Sequence, residues 1–342
     1  MSALDGRRDC RSPSRPWCRS SGTCPQVHFN FYRRHGRFDR ADQGVVGMSV
    51  KRTVLVTGGT GRVGGQVVAR LVEAEGVRVR VLSRDPARAS AALGPQVEVV
   101  GGDLTVPDGL SAALDGVDAL FLVFPSVTAD HAAGRLVATL AERVGRIVYL
   151  STHGVPDDPD GAAGPDGTIL GSHAHLEGLL AGSAAEYAFL RSSGFAANTL
   201  AWAPQIQQSD VLRWFVPQAR RALVHEADLG AVAARLLTDD RHQRAAHHLT
   251  GPEQLTQVDQ LAAIGAALGR TLRYEEMDSA QAAAELFPTM PAGVAAAIIA
   301  GHAAMITHPE PVTDTVRHLL GRPALTFAQW ARDHVEDFTG RR

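Results

Sequence analysis

The sequence predicts an α/β protein built on a doubly wound parallel sheet, with a smaller α+β lobe toward the C-terminal end. Residues 53–56 form a short apolar strand that runs through a glycine-rich turn into a segment with helical apolar spacing. Strand and helix then alternate through five rounds, which is typical of a parallel sheet with helices on both faces. An apolar content of 45% and a charged content of 20% fit a globular protein.

The turn after the first strand has the spacing of a dinucleotide fingerprint. Gly58, Gly61 and Gly64 follow each other at intervals of three residues, and residues 66–73 have helical apolar spacing. The first glycine permits the tight turn, the second lets the backbone approach a pyrophosphate, and the third lets the helix pack closely on the strand. Open N–H groups at the helix start then hold the anion. We therefore expect a Rossmann-type NAD(P) site, with an ordinary strand-to-helix turn as the alternative.

The end of the second predicted strand bears on which cofactor is bound. Sheets that bind NAD usually carry Asp or Glu there for the ribose 2′-hydroxyl. This chain has Ser83 and Arg84 instead, and a guanidinium fits a 2′-phosphate. Arg62 could add a second cation, whereas Asp85 is interpreted as a helix N-cap before Pro86. The sequence thus favours NADP(H) over NAD(H), unless Arg84 is a plain surface charge.

The later strands of the alternation are predicted at 97–100, 118–123, 146–150 and 187–190, with helices at 107–114, 129–144 and 172–180 and a loop at 156–168. The carboxyl ends of parallel strands meet at one edge of a sheet, where ligands bind. That edge should hold Gly58, Arg84, Asp103, Phe124 and Ser151. We expect Asp103 to reach the adenine amino group and Leu104 to pack on the ring.

The remaining elements are interpreted as not continuing this alternation. They are helices at 227–237, 256–268, 327–338 and, in pieces, 280–304, with short strands at 248–250 and 271–275. We predict an NAD(P)-binding Rossmann domain over 48–200 and a substrate-binding lobe over 201–342, intertwined with it. Trp202, Trp214 and Phe215 follow the sixth strand and could line a pocket or equally form core.

Residues 1–47 differ from the rest and are predicted to be a disordered or spurious extension, with Met48 as the natural start. They hold nine arginines, four aspartates and all three cysteines. A transit peptide or a zinc site there is less favoured, so no metal site is predicted. Lys51 is the only lysine of the chain, so no Tyr-x-x-x-Lys pair exists.

Charge and hydropathy limit the partners. A net charge of −2 argues against direct nucleic-acid binding, and the sequence contains no apolar run of about 18 residues. We expect a cytoplasmic protein with a small-molecule substrate, monomeric or homodimeric and without membrane contact.

Several stretches together resemble the NmrA-like atypical short-chain dehydrogenases over about residues 50–335. They are TGGTGRVG at 57–64, LSRDP at 82–86, GDLT at 102–105, STHG at 151–154, HAHLE at 173–177, LRSSGF at 190–195 with Asn198, LTGPE at 249–253 and the segment 315–330. The resemblance implies a Rossmann domain that binds NADP(H). Some members reduce quinones, isoflavonoids or imine-type alkaloid intermediates, and others sense the nucleotide and act on partner proteins.

The resemblance also implies roles for individual residues. The pyrophosphate would be held by Gly58, Thr60, Gly61, Arg62, Val63 and Gly64, the 2′-phosphate by Arg84, and the adenine by Asp103 and Leu104. The residues at the end of the second strand themselves suggest that Ser83 adds a hydrogen bond to the 2′-phosphate. Val123, Phe124 and Pro125 would lie under the ribose, and Ser151 and Thr152 near the nicotinamide. The substrate pocket is predicted at His153, Phe195, Asn198 and Trp202.

The chain departs from the family at the chemical end of the site. The family's lysine position falls on His173 and its tyrosine position on Ile169, and Ser192 replaces a usual proline. Ketone reduction is then disfavoured because the alkoxide formed needs a proton donor. Reduction of quinones, enones and iminium ions tolerates a weaker proton donor or water. His173 is the predicted catalytic residue, ahead of His153 and His175, although His173 and His175 could each be a partly exposed surface histidine.

Two functions remain open from the sequence. The first is an NADPH-dependent oxidoreductase that transfers hydride to a small electrophilic conjugated substrate. The alternative is a non-catalytic NADP(H)-sensing regulatory protein with a protein partner, which the missing pair favours. A sugar-nucleotide epimerase is disfavoured because it needs the absent tyrosine.

Overall fold

The computed structural model describes residues 52–125, 130–157, 168–239, 241, 244–290 and 292–340. The predicted extension over 1–47, the predicted start at Met48 and the lone Lys51 lie outside the described residues. So do the first residue of the helix predicted at 129–144 and most of the loop predicted at 156–168.

The strands are β1 (Arg52–Thr57), β2 (Val77–Ser83), β3 (Glu98–Gly101), β4 (Ala119–Leu122), β5 (Arg146–Thr152), β6 (Glu186–Ser192), β7 (Val211–Trp214), β8 (Arg220–Arg221), β9 (Ala245–Leu249), β10 (Leu255–Thr256) and β11 (Arg273–Glu276). The helices are α1 (Arg62–Val72), α2 (Pro86–Leu93), α3 (Ser111–Leu114), α4 (Asp130–Ala141), α5 (Ile169–Ala181), α6 (Ala203–Gln208), α7 (Glu226–Thr238), α8 (Gln257–Leu268), α9 (Ser279–Leu286), α10 (Ala292–Ala304), α11 (Thr315–Leu320), α12 (Phe327–Asp333) and α13 (Val335–Thr339). Short 3₁₀ turns cover Pro107–Leu110 and Ala196–Trp202.

The centre of the fold is a seven-stranded sheet in the order β3-β2-β1-β4-β5-β6-β9. All of its neighbouring strands pair in parallel, and Val54 of β1 lies opposite Val79 of β2 and Ala119 of β4. The strand order reverses direction between β1 and β4, which is where doubly wound sheets open a crevice for ligands. The predicted doubly wound parallel sheet is confirmed.

The seventh strand corrects one expectation. The segment around His248 was predicted to be a short strand outside the alternation, but β9 pairs in parallel with β6 and extends the main sheet. The connecting α7 packs on α1 across the sheet face, where Gly230 lies against the backbone of Gln66. The alternation therefore continues beyond residue 200. The strand was not assigned to the sheet because β9 is a partly exposed edge strand, and its histidine-rich sequence lacks a strong apolar pattern.

Two apolar layers cover the faces of the sheet. On one face, Val54 and Val56 pack with residues of α1 and α7. On the other face, Leu55 packs with residues of α4 and α5. This alternation along β1 follows from the two-residue side-chain repeat of a strand, and it buries both faces. No described helix has the length and apolar character needed to cross a membrane.

The elements around β7, β8, β10 and β11, called the C-terminal lobe from here on, have a core of their own around Trp202, Trp330, Phe327 and Phe338. The helix predicted at 327–338 is divided at His334, where the backbone leaves helical geometry (φ −108°, ψ 14°). Other predictions hold, since Asp85 caps α2 and Thr256 caps α8 through a capping box.

Buried carboxylates at the start of α7 fasten this lobe. The fully buried Asp228 accepts the Leu325 N–H at 2.7 Å and pairs with Arg322 at 2.7 Å. Glu226 accepts the indole N–H of Trp330 at 3.3 Å and Nε2–H of His334 at 2.7 Å. The same imidazole lies 2.8 Å from Asp337 through Nδ1.

His334 is therefore predicted to make stability depend on pH. Burial alone would lower its pKa, but the hydrogen bonds to Asp337 and Glu226 outweigh burial and raise the pKa to about 9. Because the folded pKa exceeds the unfolded value of about 6.5, the stabilisation is complete below pH 6.5 and is lost as pH rises through 9. The stability advantage of the wild type over His334→Gln should shrink by about 3 kcal/mol from pH 6 to pH 9.5.

Urea unfolding of both proteins at the two pH values measures this effect. The exposed His318 supplies a control, since His318→Gln should retain the wild-type pH dependence. An equal advantage at both pH values would contradict the assignment.

Candidate functional site

The carboxyl end of β1 turns into α1 through the predicted glycines. Gly58 has a φ of 63°, a left-handed conformation that glycine adopts without steric cost. Its carbonyl accepts the N–H of Gly61 at 2.8 Å, and α1 begins at Arg62 with Gly61 as the N-cap. No side chain of the described residues caps this end of α1. The first N–H groups of the helix are therefore available to an anion.

A close backbone contact holds this turn in place. A Cβ atom at Gly64 would collide with the carbonyl group of Gly58, and one at Gly59 would lie 2.8 Å from Val81. Because Gly64 lacks a side chain, the helix rests directly on the turn. Because Gly59 lacks one, the turn fits against Val81 of β2. The residues present fit the pyrophosphate of a dinucleotide. That Gly58, Gly61 and Gly64 bind it stays a prediction.

The ends of β2 and β3 carry the residues predicted for the adenosine half. Arg84 is exposed, and its positive charge contributes to a lowered pKa of Asp103, after the backbone hydrogen bond from Thr105 that is the main cause. Asp103 uses Oδ1 to accept both the N–H and the hydroxyl of Thr105, which leaves Oδ2 for a ligand. The Ser83 hydroxyl bonds within its own turn, to Asp85. The structure thus brings Arg84 and Asp103 together.

The end of β4 lies next to the glycine turn. The buried Thr57 hydroxyl accepts the N–H of Val123 at 2.6 Å and joins β1 to β4. The side chain of Val123 lies beside Gly58, and a Cβ atom added to that glycine would lie 3.4 Å from it. Phe124 is buried below the edge and Pro125 is exposed.

A buried charge network lies beneath the ends of β5 and β6. Arg191 on β6 donates three hydrogen bonds to Glu177 on α5, from Nε to both carboxylate oxygens at 3.2 and 3.1 Å and from Nη2 at 2.7 Å. Glu177 also accepts the Ser151 hydroxyl at 2.5 Å. Burial opposes the charge of Arg191, but the hydrogen bonds to Glu177 outweigh it and raise its pKa. The predicted nicotinamide residue Ser151 is therefore 2% exposed, and its hydroxyl is engaged with Glu177.

The same arginine fastens the loop that follows β5. Its Nη1 donates to Asp157 at 2.5 Å, and Nη2 donates to the carbonyl of Pro156 at 2.9 Å. His153 in this loop packs edge-to-face on His248 of β9, with ring centroids 5.8 Å apart. Burial and the charge of Arg191 lower the pKa of His248. The predicted pocket residue His153 thus lies at the carboxyl edge, beside a histidine that sequence reasoning did not select.

His173 lies on α5 and shares a 2.5 Å hydrogen bond with the hydroxyl of Tyr149 through Nδ1. Burial lowers the pKa of His173 to about 4, although the charge of Asp130 opposes this shift. Burial raises the pKa of Tyr149 well above its usual value. Both groups are therefore neutral near pH 7. The predicted catalytic role of His173 stays a prediction, and its neutral state disfavours proton donation from an imidazolium.

The other predicted substrate residues differ in exposure. Asn198 is exposed and Phe195 is half-buried at the end of β6. Trp202 is 3% exposed and belongs to the core of the C-terminal lobe, with its ring edge against Trp214. Of the three, Asn198 and Phe195 have the exposure that a ligand contact needs.

Arg62 makes a contact that links the glycine turn to the segment after β6. Its Nη1 donates to the carbonyl of Ala197 at 2.8 Å. The sequence puts Arg62 in the turn but does not determine where its side chain lies. The buried pair of Glu177 and Arg191 was missed as well, although a charged residue within the apolar strand β6 is a signal that a partner must exist.

Comparison with known proteins identifies the family. Residues 50–312 match the model of the NmrA-like family. The chain belongs to the NmrA-like family. It is 36% identical over 286 residues to a protein of Streptomyces griseus named (4-alkanoyl-5-oxo-2,5-dihydrofuran-3-yl)methyl phosphate reductase, which covers 83% of this chain and 99% of that relative.

Two further similarities extend over nearly the same span. The chain is 32% identical over 287 residues to an NAD(P)H azoreductase of Xenophilus azovorans, covering 83% of this chain and 99% of the relative. Among solved structures, an NADPH-dependent quinone oxidoreductase of Escherichia coli superposes with a TM-score of 0.67 at 25% identity, covering 81% of this chain and 98% of that one. The resemblance to NmrA-like proteins predicted from the sequence is confirmed.

Gly64→Ala is predicted to weaken nucleotide binding. The new methyl group would meet the Gly58 carbonyl, so α1 would have to move away from β1 and carry its N–H groups with it. We expect the dissociation constant for NADPH, measured by fluorescence titration, to rise at least about tenfold, the loss of one charge-assisted hydrogen bond.

Gly134→Ala is the matched control. Gly134 lies in the middle of α4 with open space around it, so this variant should bind NADPH like the wild type. Circular dichroism should show both variants folded. Equal affinities of all three proteins would contradict the role of the glycine contact.

Proposed function

We propose that the protein is an NADPH-dependent reductase that transfers hydride to a small electrophilic conjugated substrate of the quinone, enone or iminium type. The coarser part, an oxidoreductase that uses a nicotinamide dinucleotide, is supported by the names of its relatives. The observation that carries the proposal is the glycine cradle at Gly58, Gly61 and Gly64, which opens on the carboxyl edge of the sheet.

The relatives support the type of acceptor. The dihydrofuranone in the name of the Streptomyces relative has a ring C=C bond conjugated with two carbonyl groups. The other two names specify azo compounds and quinones. All three are electron-poor conjugated systems, in agreement with the acceptors that the missing Tyr-x-x-x-Lys pair favours.

Each part of the cofactor would contact different residues at the carboxyl edge of the sheet. The backbone from Thr60 to Gly64 would hold the pyrophosphate, Arg84 the 2′-phosphate and Asp103 the adenine amino group. Val123 would lie under the ribose and Thr152 near the nicotinamide. When bound, NADPH would supply the hydride. An enone would take the hydride at its β carbon and a proton at its α carbon, and a quinone, once reduced, would take a proton at oxygen. An iminium ion would take the hydride at its carbon and need no proton.

We assign the proton that an enone or a quinone takes to water. His173 has a pKa of about 4 and is hydrogen-bonded to Tyr149, so an imidazolium is scarce at neutral pH. The Ser151 hydroxyl donates to Glu177 and is not free for the substrate. A conjugated acceptor suits such a site because the enolate or hydroquinone anion formed is a weaker base than a ketone-derived alkoxide.

Oxidation of NADPH tests the proposal. Absorbance at the NADPH band should fall when the protein meets a panel of naphthoquinones, acyl furanones and iminium dyes. Tight NADPH binding without oxidation by any acceptor would overturn the reductase assignment and favour the NADP(H) sensor, whose capture of partner proteins should then depend on the nucleotide.

Arg84→Gln is predicted to change cofactor preference. Removing the guanidinium from the end of β2 should weaken NADPH binding about 10- to 100-fold, which corresponds to one charged hydrogen bond, and leave NADH affinity within about threefold. Titration of both nucleotides measures the ratio. The exposed Arg88 on α2 provides a control, since Arg88→Gln should keep the wild-type ratio. A parallel loss for both nucleotides would contradict a 2′-phosphate contact.

A further inference from the structure

We propose that Arg62 determines substrate specificity by binding an anionic group, a phosphate or a carboxylate, carried next to the conjugated bond of the substrate. This inference rests on the proposed reductase function and adds the charge of the substrate to it. Three properties of the Arg62 guanidinium support it: its position, its direction relative to the sheet and the charges around it.

The Arg62 side chain spans from the cofactor turn to the substrate side of the site. Arg62 is the first residue of α1 and is exposed. Its Nη1 donates to the carbonyl of Ala197, in the 3₁₀ turn Ala196–Trp202 that follows β6. A guanidinium at this place lies between the pyrophosphate cradle and the segment that carries Phe195 and Asn198.

The strand order decides which half of the cofactor Arg62 faces. β2 and β3, with Arg84 and Asp103 at their ends, lie on one side of β1, whereas β4, β5 and β6 lie on the other. Because Arg62 reaches the segment after β6, its guanidinium points away from the adenosine half. The sequence-based suggestion that Arg62 adds a second cation at the 2′-phosphate is therefore disfavoured, and the side chain belongs to the half where the substrate binds.

The charge of Arg62 has no counterpart in the described part of the chain. Two other arginines near this edge are neutralised, Arg191 by Glu177 and Asp157, and Arg221 by Glu310 at 2.9 Å. Among the described residues, Arg62 takes part in no ion pair, and one of its five N–H donors is used.

A guanidinium with free donors on the substrate side is suited to an oxyanion, because its planar fork binds two oxygens at once. The next residue along the turn, Asn198, is exposed and could add an amide donor. A neutral quinone would use neither group. The geometry therefore points to a substrate that carries a phosphate monoester or a carboxylate beside its electrophilic bond.

Arg62→Gln tests the proposal with paired substrates. One pair is an acyl furanone with a hydroxymethyl group and its phosphate ester, and the other is 1,4-naphthoquinone and its 2-sulfonate. In the variant, the preference for the anionic member, the ratio of the two kcat/KM values, should fall about 10- to 100-fold, mainly through KM. Arg62→Lys should recover part of this preference because it keeps the charge.

Arg78→Gln is the matched control, because Arg78 is exposed near the amino end of β2, opposite the site. It should keep the wild-type preference. A readout without turnover is calorimetric titration of the furanone phosphate into the cofactor-free protein, where Arg62→Gln should bind at least about tenfold more weakly than the wild type. NADPH affinity is measured separately, because a contact between Arg62 and the cofactor pyrophosphate would lower that affinity in the variant, whereas a contact with the substrate anion would not.

The outcomes separate the two proposals. If the wild type binds NADPH but reduces no member of either pair, the reductase function fails. If the wild type reduces them, the reductase function stands. The substrate-anion role of Arg62 is then overturned if Arg62→Gln lowers kcat/KM equally for both members of a pair, or if it lowers NADPH affinity by the same factor as the preference for the anionic member.

Discussion

The contact between the first turn of α1 and the carbonyl of Gly58 is the constraint on which the site depends. Because Gly64 has no Cβ atom, the helix starts directly above the end of β1. The same placement leaves its first N–H groups open and sends the Arg62 side chain across to Ala197. One backbone approach thus shapes both the cofactor cradle and the boundary of the substrate region, so a larger residue at Gly64 would disturb them together.

Buried charged groups hold distant segments against this framework. Arg191 and Glu177 join β6 to α5, and Arg191 also binds Asp157 in the segment that follows β5. Glu226 and Asp228 retain the C-terminal helices about a hundred residues away. Because an unpaired buried charge is costly, these clusters favour the fold in which each buried charged group lies next to its partner. Ion pairs therefore lie beneath the carboxyl edge of the sheet, whereas Arg62 and Arg84 at that edge are exposed.

The sequence predicted the parts whose signals are local. The strands from β1 to β6, the glycine turn and the caps at Asp85 and Thr256 follow from apolar spacing and turn chemistry within about ten residues. The place of β9 was not predictable in this way, because an edge strand that is partly exposed lacks a strong apolar pattern. Trp202 illustrates the same limit, since a large apolar residue after β6 suits a pocket as well as a core, and the lobe buries it.

By itself, the sequence determined the parallel sheet, the dinucleotide cradle and the absence of a Tyr-x-x-x-Lys pair, since each depends on residue types at short spacing. Only the tertiary structure decided what the charged and polar side chains do. It paired Ser151 and Arg191 with Glu177, made His173 neutral against Tyr149 and left Arg62 without a carboxylate partner among the described residues. The reason is physical: the state of an ionisable group depends on burial and on neighbours brought together by folding, and the order of residues along the chain does not specify those neighbours.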